Sequence, residues 1–180
     1  GGFGGKETQM SLFACAAAIV ARRTGRAAKL RLDRDDDMRS TGKRHAFVHG
    51  YDVGYDDAGR ILALDLTLAS RCGFSADLSG PINDRAVFHA DNAYWLPDVA
   101  IHSYRCRTNT VSDTAFRGFG GPQGMFAIEA VIDAIARATG LDPLDVRKAN
   151  LYGSSERNVT PYGMTVEDNI APELIEHPER

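Results

Sequence analysis

The 180-residue chain is 43% apolar and 25% charged with a formal charge of −3, the composition of one globular domain or of a large piece of a bigger one. That balance argues against a general nucleic-acid surface, and no window approaches the ~18 to 20 apolar residues of a membrane span. Cys15, Cys72 and Cys106 are odd in number and lack CxxC spacing, which excludes a disulfide scaffold, a zinc site and an iron–sulfur site and points to thiols in a reducing, cytoplasmic compartment.

In chain order, the first element expected is a helix over residues 9–24. Met10, Phe13, Ala17 and Val20 fall on one face, and Gly25 follows as a stop. Residues 28–33 are expected to form a short strand. The acidic run Asp33-Arg34-Asp35-Asp36-Asp37 is expected to be a solvated turn, because it lacks the glycine and distal glutamate of a calcium loop. The basic pairs Arg22-Arg23 and Lys43-Arg44 are read as solvated faces.

Alternating apolar residues over 47–55 and 61–70 flank Asp56-Asp57-Ala58-Gly59-Arg60, the pattern of a β-hairpin. Leu62, Leu64, Leu66 and Leu68 are expected on its buried face. A third strand is expected over 99–108. A helix follows over about 123–139, with Met125, Ile128, Ile132 and Ile135 as its apolar stripe and Gly140 as its stop. Asp142 and Pro143 begin another helix as N-cap and first residue. Helices and antiparallel hairpins segregated along the chain indicate an α+β fold. Residues 1–153 read as one domain, and the polar, proline-containing 154–180 as a linker or the start of another segment. A start inside a glycine loop without an initiator methionine reads as an excised fragment.

Two glycine loops carry the chemistry. Gly1-Gly2-Phe3-Gly4-Gly5-Lys6-Glu7 opens the chain, and Thr114-Ala115-Phe116-Arg117-Gly118-Phe119-Gly120-Gly121-Pro122-Gln123-Gly124 precedes the long helix. Glycine admits a ligand close to the backbone, arginine offers a flat cationic fork, and a helix N-terminus favours anionic oxygens. Together they can hold a flat heterocycle beside an oxyanionic cofactor. Neither loop suits a nucleotide: Glu7 stands where a phosphate loop needs Ser or Thr, and Pro122 with Gln123 breaks the dinucleotide fingerprint. From the residues alone, Glu7 is equally a first-turn acid, Arg85 a salt-bridge partner of Asp84 or Asp91, and Phe119 a core side chain.

GGFGGKE followed by TAFRGFGGPQG resembles the molybdopterin-binding portion of xanthine dehydrogenases, among the molybdenum hydroxylases. The likeness continues through Asp33 to Met38, Thr41 to His45, Asp84 to His89, Arg107 to Thr110 and Arg147 to Tyr152, and fades after Gly153. The resemblance implies a molybdenum–molybdopterin cofactor approached by Phe3, Gly4 and Arg117, with Phe3 and Arg117 near the metal through the backbone. It further implies a purine held by Glu7, oriented by stacking on Phe119, and met by Arg85 where negative charge develops. The family's general base is a glutamate outside this chain, so no catalytic residue is assigned within it, and the isolated chain is expected to be inactive. Iron–sulfur clusters, FAD and NAD as final acceptor are implied in the intact, oligomeric enzyme. The Glu7/Arg85 pair favours xanthine and hypoxanthine over an aldehyde or another N-heterocycle. A non-catalytic ligand-binding module on the same scaffold is the alternative of a different class.

Overall fold

The computed structural model describes Gly4, Gly5 and residues 7–177. Its elements are α1 (Ser11–Thr24), α2 (Arg34–Ser40), β1 (Phe47–Tyr55), β2 (Ile61–Gly73), α3 (Ser79–Phe88), β3 (Val99–Arg107), α4 (Gly121–Thr139), α5 (Pro143–Asn150) and α6 (Ala171–Glu176). Helices pack on one three-stranded sheet of order β1-β2-β3. The α+β class holds, with a correction to the strand directions. β1 and β2 form the expected antiparallel hairpin, but β3 runs parallel to β2. A parallel neighbour needs a crossover, and α3, unforeseen from the sequence, occupies that connection.

The hairpin turn is closed by Asp56, whose Oδ1 accepts from Ala58 N at 3.0 Å and Arg60 N at 2.9 Å. A register shift at Gly54/Tyr55 pairs Tyr55 with Ile61 and Gly54 with Ala63. The extra residue turns Leu62 outward, 55% exposed, and puts Ile61 in its place. Leu64, Leu66 and Leu68 are buried as expected.

The core lies between β2 and α4, where Ile128, Val131, Ile132 and Ile135 meet the sheet leucines and Ala86 of α3. Each buried Ile, Val or Leu side chain contributes about 1.5–3 kcal/mol. Val131 joins the stripe, whereas Met125 stays partly exposed. α5 begins as expected, with Asp142 Oδ1 accepting from Leu144 N at 2.7 Å. It ends on Asn150, fully buried: its Oδ1 accepts from Ile61 N, and its Nδ2 donates to the carbonyls of Gly59 and Val146, all at 2.8 Å. This one side chain ties α5 to the hairpin.

Two expectations fail near the N-terminus. Residues 28–33 pair with no strand, and an extended segment without a ladder partner gains nothing from β propensity. The acidic run is helical: Asp33 caps α2 by accepting from Asp36 N at 2.8 Å, and Asp35, Asp36 and Asp37 sit at the positive end of the helix dipole. α1 forms as expected, yet none of its residues is buried, and Met10 and Val20 of its apolar face lie exposed. Among the described residues, no helix is long and apolar enough to cross a membrane. The three cysteines are free, with only Cys72 buried.

Candidate functional site

The two glycine loops touch. Gly4 and Gly5 have φ of 132° and 67°, and a Cβ on either would stand 2.8 Å from the Ala115 carbonyl oxygen or 2.7 Å from Thr114 Cγ2. Only glycine fits such an approach. Asp77 fastens the contact: Oδ2 accepts from Thr8 Oγ1 at 2.7 Å and Gln9 Nε2 at 2.9 Å, while Oδ1 accepts from Thr114 Oγ1 at 2.6 Å and Leu78 N at 2.7 Å. Burial pushes the Asp77 carboxyl upward, but these hydrogen bonds outweigh it and hold the group below the usual carboxylate range. Gln9 Oε1 also accepts from Gly42 N at 2.7 Å. Phe3, expected beside the cofactor, lies outside the described residues.

The second loop turns through three successive positive φ values, 92° at Gly118, 52° at Phe119 and 102° at Gly120. Left-handed backbone costs a non-glycine residue about 1–2 kcal/mol, and the surrounding contacts hold Phe119 in it. Phe119 N donates to Phe116 O at 2.8 Å and Gly121 N to Gly118 O at 3.0 Å. Gly120 and Gly124 let α4 press against α3: a Cβ at either would lie 2.0 or 2.1 Å from the carbonyl oxygens of Ile82 and Ala86.

That close docking brings Arg85 of α3 to Phe119, with the guanidinium carbon 5.9 Å from the ring centroid. Pro81, Asp84, Phe88 and His89 join them around a cavity of about 400 Å³. Arg85 is exposed and makes no ion pair among the described residues. Asp91, one of its candidate partners, is instead committed to Tyr152, whose hydroxyl donates to Oδ2 at 2.5 Å. Phe119 is half-buried and outside the core cluster. Glu7 sits exposed in the turn before α1, and no hydrogen bond or ion pair joins it to Arg85 among the described residues. Arg85 and Phe119 therefore meet in one cavity, while Glu7 stands exposed in the first loop and is not among the residues lining that cavity.

Lys43 and Arg44 are not a solvated face. Lys43 Nζ donates to Thr41 O at 2.9 Å and Asp37 O at 3.0 Å. Arg44 Nη2 donates to Arg117 O at 2.6 Å, and its guanidinium lies 4.5 Å from the Phe116 ring centroid. Arg44 thus fixes the peptide that carries Arg117, whose own side chain is exposed. Beneath the loop, Gln123 Nε2 donates to His45 O, and His45 Nε2 lies 2.7 Å from Ser79 Oγ. Burial lowers the His45 imidazole pKa against the opposing pull of Asp113. No local pattern marks Asp77, and nothing beyond its basic neighbour marks Arg44, because each works through partners far along the chain.

The residues present fit an anionic pterin cofactor. Gly118 and Arg117 are exposed at the second loop, half-buried Gly4 lies against it, and the loop feeds the N-terminus of a 19-residue helix. Arg44 Nη1 is buried without a partner among the described residues, a donor-rich excess that favours acceptor groups nearby.

Comparison with known proteins agrees. The family model described as the molybdopterin cofactor-binding domain matches residues 1–151. The chain is 46% identical over 167 residues to a xanthine dehydrogenase/oxidase of Gallus gallus, covering 93% of this chain and 12% of that protein. It is 39% identical over 177 residues to a nicotinate hydroxylase of Emericella nidulans, covering 98% of this chain and 13% of that one. The fold matches an aldehyde oxidoreductase from Desulfovibrio gigas with a TM-score of 0.81 at 28% identity, over 99% of this chain and 19% of that chain. The chain thus spans about one-eighth of the length of the curated relatives it matches. With its paired glycine loops and helix-borne arginine, it belongs to the molybdopterin cofactor-binding domain family of the molybdenum hydroxylases.

Proposed function

We propose that the intact protein is a molybdenum hydroxylase that oxidises xanthine, and hypoxanthine, to urate, with the purine seated in the cavity between Arg85 and Phe119. The observation that carries this reading is the Arg85 guanidinium, without an ion-pair partner among the described residues, beside the Phe119 ring in one cavity of about 400 Å³. When bound, the molybdenum cofactor supplies oxygen transfer and two-electron redox chemistry. This chain binds and orients. Hydroxylation of a purine carbon builds negative charge on ring nitrogen and oxygen atoms, and a preorganised cation opposite that charge lowers the barrier. The Phe119 face holds the ring in register, and Glu7 accepts a purine N–H. Arg117 and Gly4 lie along the cofactor edge, joined in this reading by Phe3. The general base, iron–sulfur clusters and FAD lie elsewhere in the protein, with NAD as acceptor in a cytoplasmic oligomer. The segment 154–180 is read as the passage to the next part.

A second reading has one supporting observation. The nicotinate hydroxylase relative is 39% identical, and Arg85 would serve a substrate carboxylate as readily as a purine oxygen. Turnover of xanthine, nicotinate and benzaldehyde by the full-length protein and its Arg85→Met variant tests both. Loss of roughly 100-fold or more in kcat on xanthine, with benzaldehyde spared, is expected. Equal losses on both substrates would make Arg85 a structural residue, and a preference for nicotinate would select the second reading.

A further inference from the structure

A second cavity, of about 520 Å³, lies at the other end of α3. It is lined by Cys72, Gly73, Phe74, Ser75, Ala76, Ser79 and Gly80 together with Arg105 and Arg107 of β3, Gly73 pairing with Arg107 in the sheet. Among the described residues, no carboxylate lines it. Arg105 and Arg107 alternate along the strand and therefore project to the same side, about 7 Å apart along the backbone. Neither has an ion-pair partner among the described residues. The one carboxylate of the 72–80 segment, Asp77, is engaged by Thr8, Gln9, Thr114 and Leu78, does not line the cavity and forms no ion pair with either arginine. The Ser75 hydroxyl lies 2.7 Å from that of Ser112, which leaves it hydrogen-bonding capacity toward the cavity. Phe74 stands 61% exposed at the wall, and Cys72 and Ala76 add apolar surface.

We infer that this cavity is a second small-molecule site, selective for an oxyanion on a flat apolar body: an aromatic carboxylate or an aryl phosphate. Two guanidiniums form charge-assisted hydrogen bonds with carboxylate or phosphate oxygens. The volume lies within the range of small-ligand pockets, and the exposed aromatic wall selects a flat body over a bare ion. The site is independent of the purine reading, because it shares no lining residue with the Arg85–Phe119 cavity.

Calorimetric titration of the full-length protein with benzoate, phenyl phosphate and inorganic phosphate tests this. Saturable binding of benzoate or phenyl phosphate is expected, whichever is tighter identifying the preferred oxyanion. Arg105→Gln and Arg107→Gln should each weaken it about tenfold or more, whereas in the Arg85→Met background, which removes any carboxylate contact at the first cavity, the Arg105- and Arg107-dependent binding persists. Phe74→Ala should weaken phenyl phosphate while leaving inorganic phosphate unaffected. Arg105→Lys, which keeps the charge, should retain part of the affinity and guards against a folding defect in the glutamine variant. Absence of saturable binding overturns the inference, as does affinity indifferent to both arginines or inorganic phosphate binding as tightly as phenyl phosphate.

Discussion

Replacing Gly120 by alanine should separate the two halves of the candidate site. Its φ of 102° already disfavours any side chain, and the added Cβ would lie 2.0 Å from the Ile82 carbonyl oxygen in α3. Gly140, at the other end of the same helix, is a natural control: its φ is 73°, and a Cβ there meets nothing within 4 Å. Gly140→Ala carries only the left-handed penalty, about 1–2 kcal/mol. Gly120→Ala carries a penalty of that order plus overpacking against rigid backbone, a further ~1–3 kcal/mol. The expected total is therefore about 2–5 kcal/mol, concentrated on the α3–α4 contact. Hydrogen exchange of α4 amides in the full-length protein, compared across wild type and both variants, reads this local stability directly. Equal protection loss in the two alanine variants would refute the reasoning, since it would mean that α3 yields freely and that tight docking does not set the Arg85–Phe119 distance.

Asn150→Ala should destabilise the protein by roughly 3 kcal/mol or more, because it strands Ile61 N and the carbonyls of Gly59 and Val146 in a fully buried setting; a urea midpoint unchanged from wild type would contradict this. Burial raises the Asp91 pKa and the Tyr152 hydrogen bond partly offsets it, so ionising Asp91 opposes folding. Its contribution is most favourable below the ordinary carboxylate range and declines as pH rises through the raised folded value. Tyr152→Phe removes the offset, and its Tm deficit relative to wild type should widen from pH 4 to pH 8; a constant deficit would show that Asp91 does not titrate as described. Phe119→Ala should weaken binding of flat heterocycles with little change in Tm, since the ring is half-buried and outside the core; a large Tm drop with unaltered affinity would make Phe119 a packing residue.

Features whose causes are local were legible in the sequence. The Asp56–Arg60 turn, the Asp142 cap with Pro143, and the apolar stripe of α4 each draw on residues within a few positions, so periodicity and capping chemistry sufficed. The glycine strings also spoke for the family, because at Gly4, Gly5, Gly120 and Gly124 the backbone approaches a neighbouring segment more closely than a side chain allows. Tertiary contacts decided the rest. Residues 28–33 carry strand-like chemistry but have no neighbouring ladder, and α1 is amphipathic yet buries nothing among the described residues. α3 lacks a side-chain cap and a strong apolar period; it is held by Ile82 and Ala86 against α4 and imposes the parallel pairing of β3. The meeting of Arg85 with Phe119, 34 positions apart, follows from Gly120 and Gly124 allowing backbone contact between two helices. Sequence spacing expresses local geometry, whereas that encounter depends on how closely two separate backbones can pack.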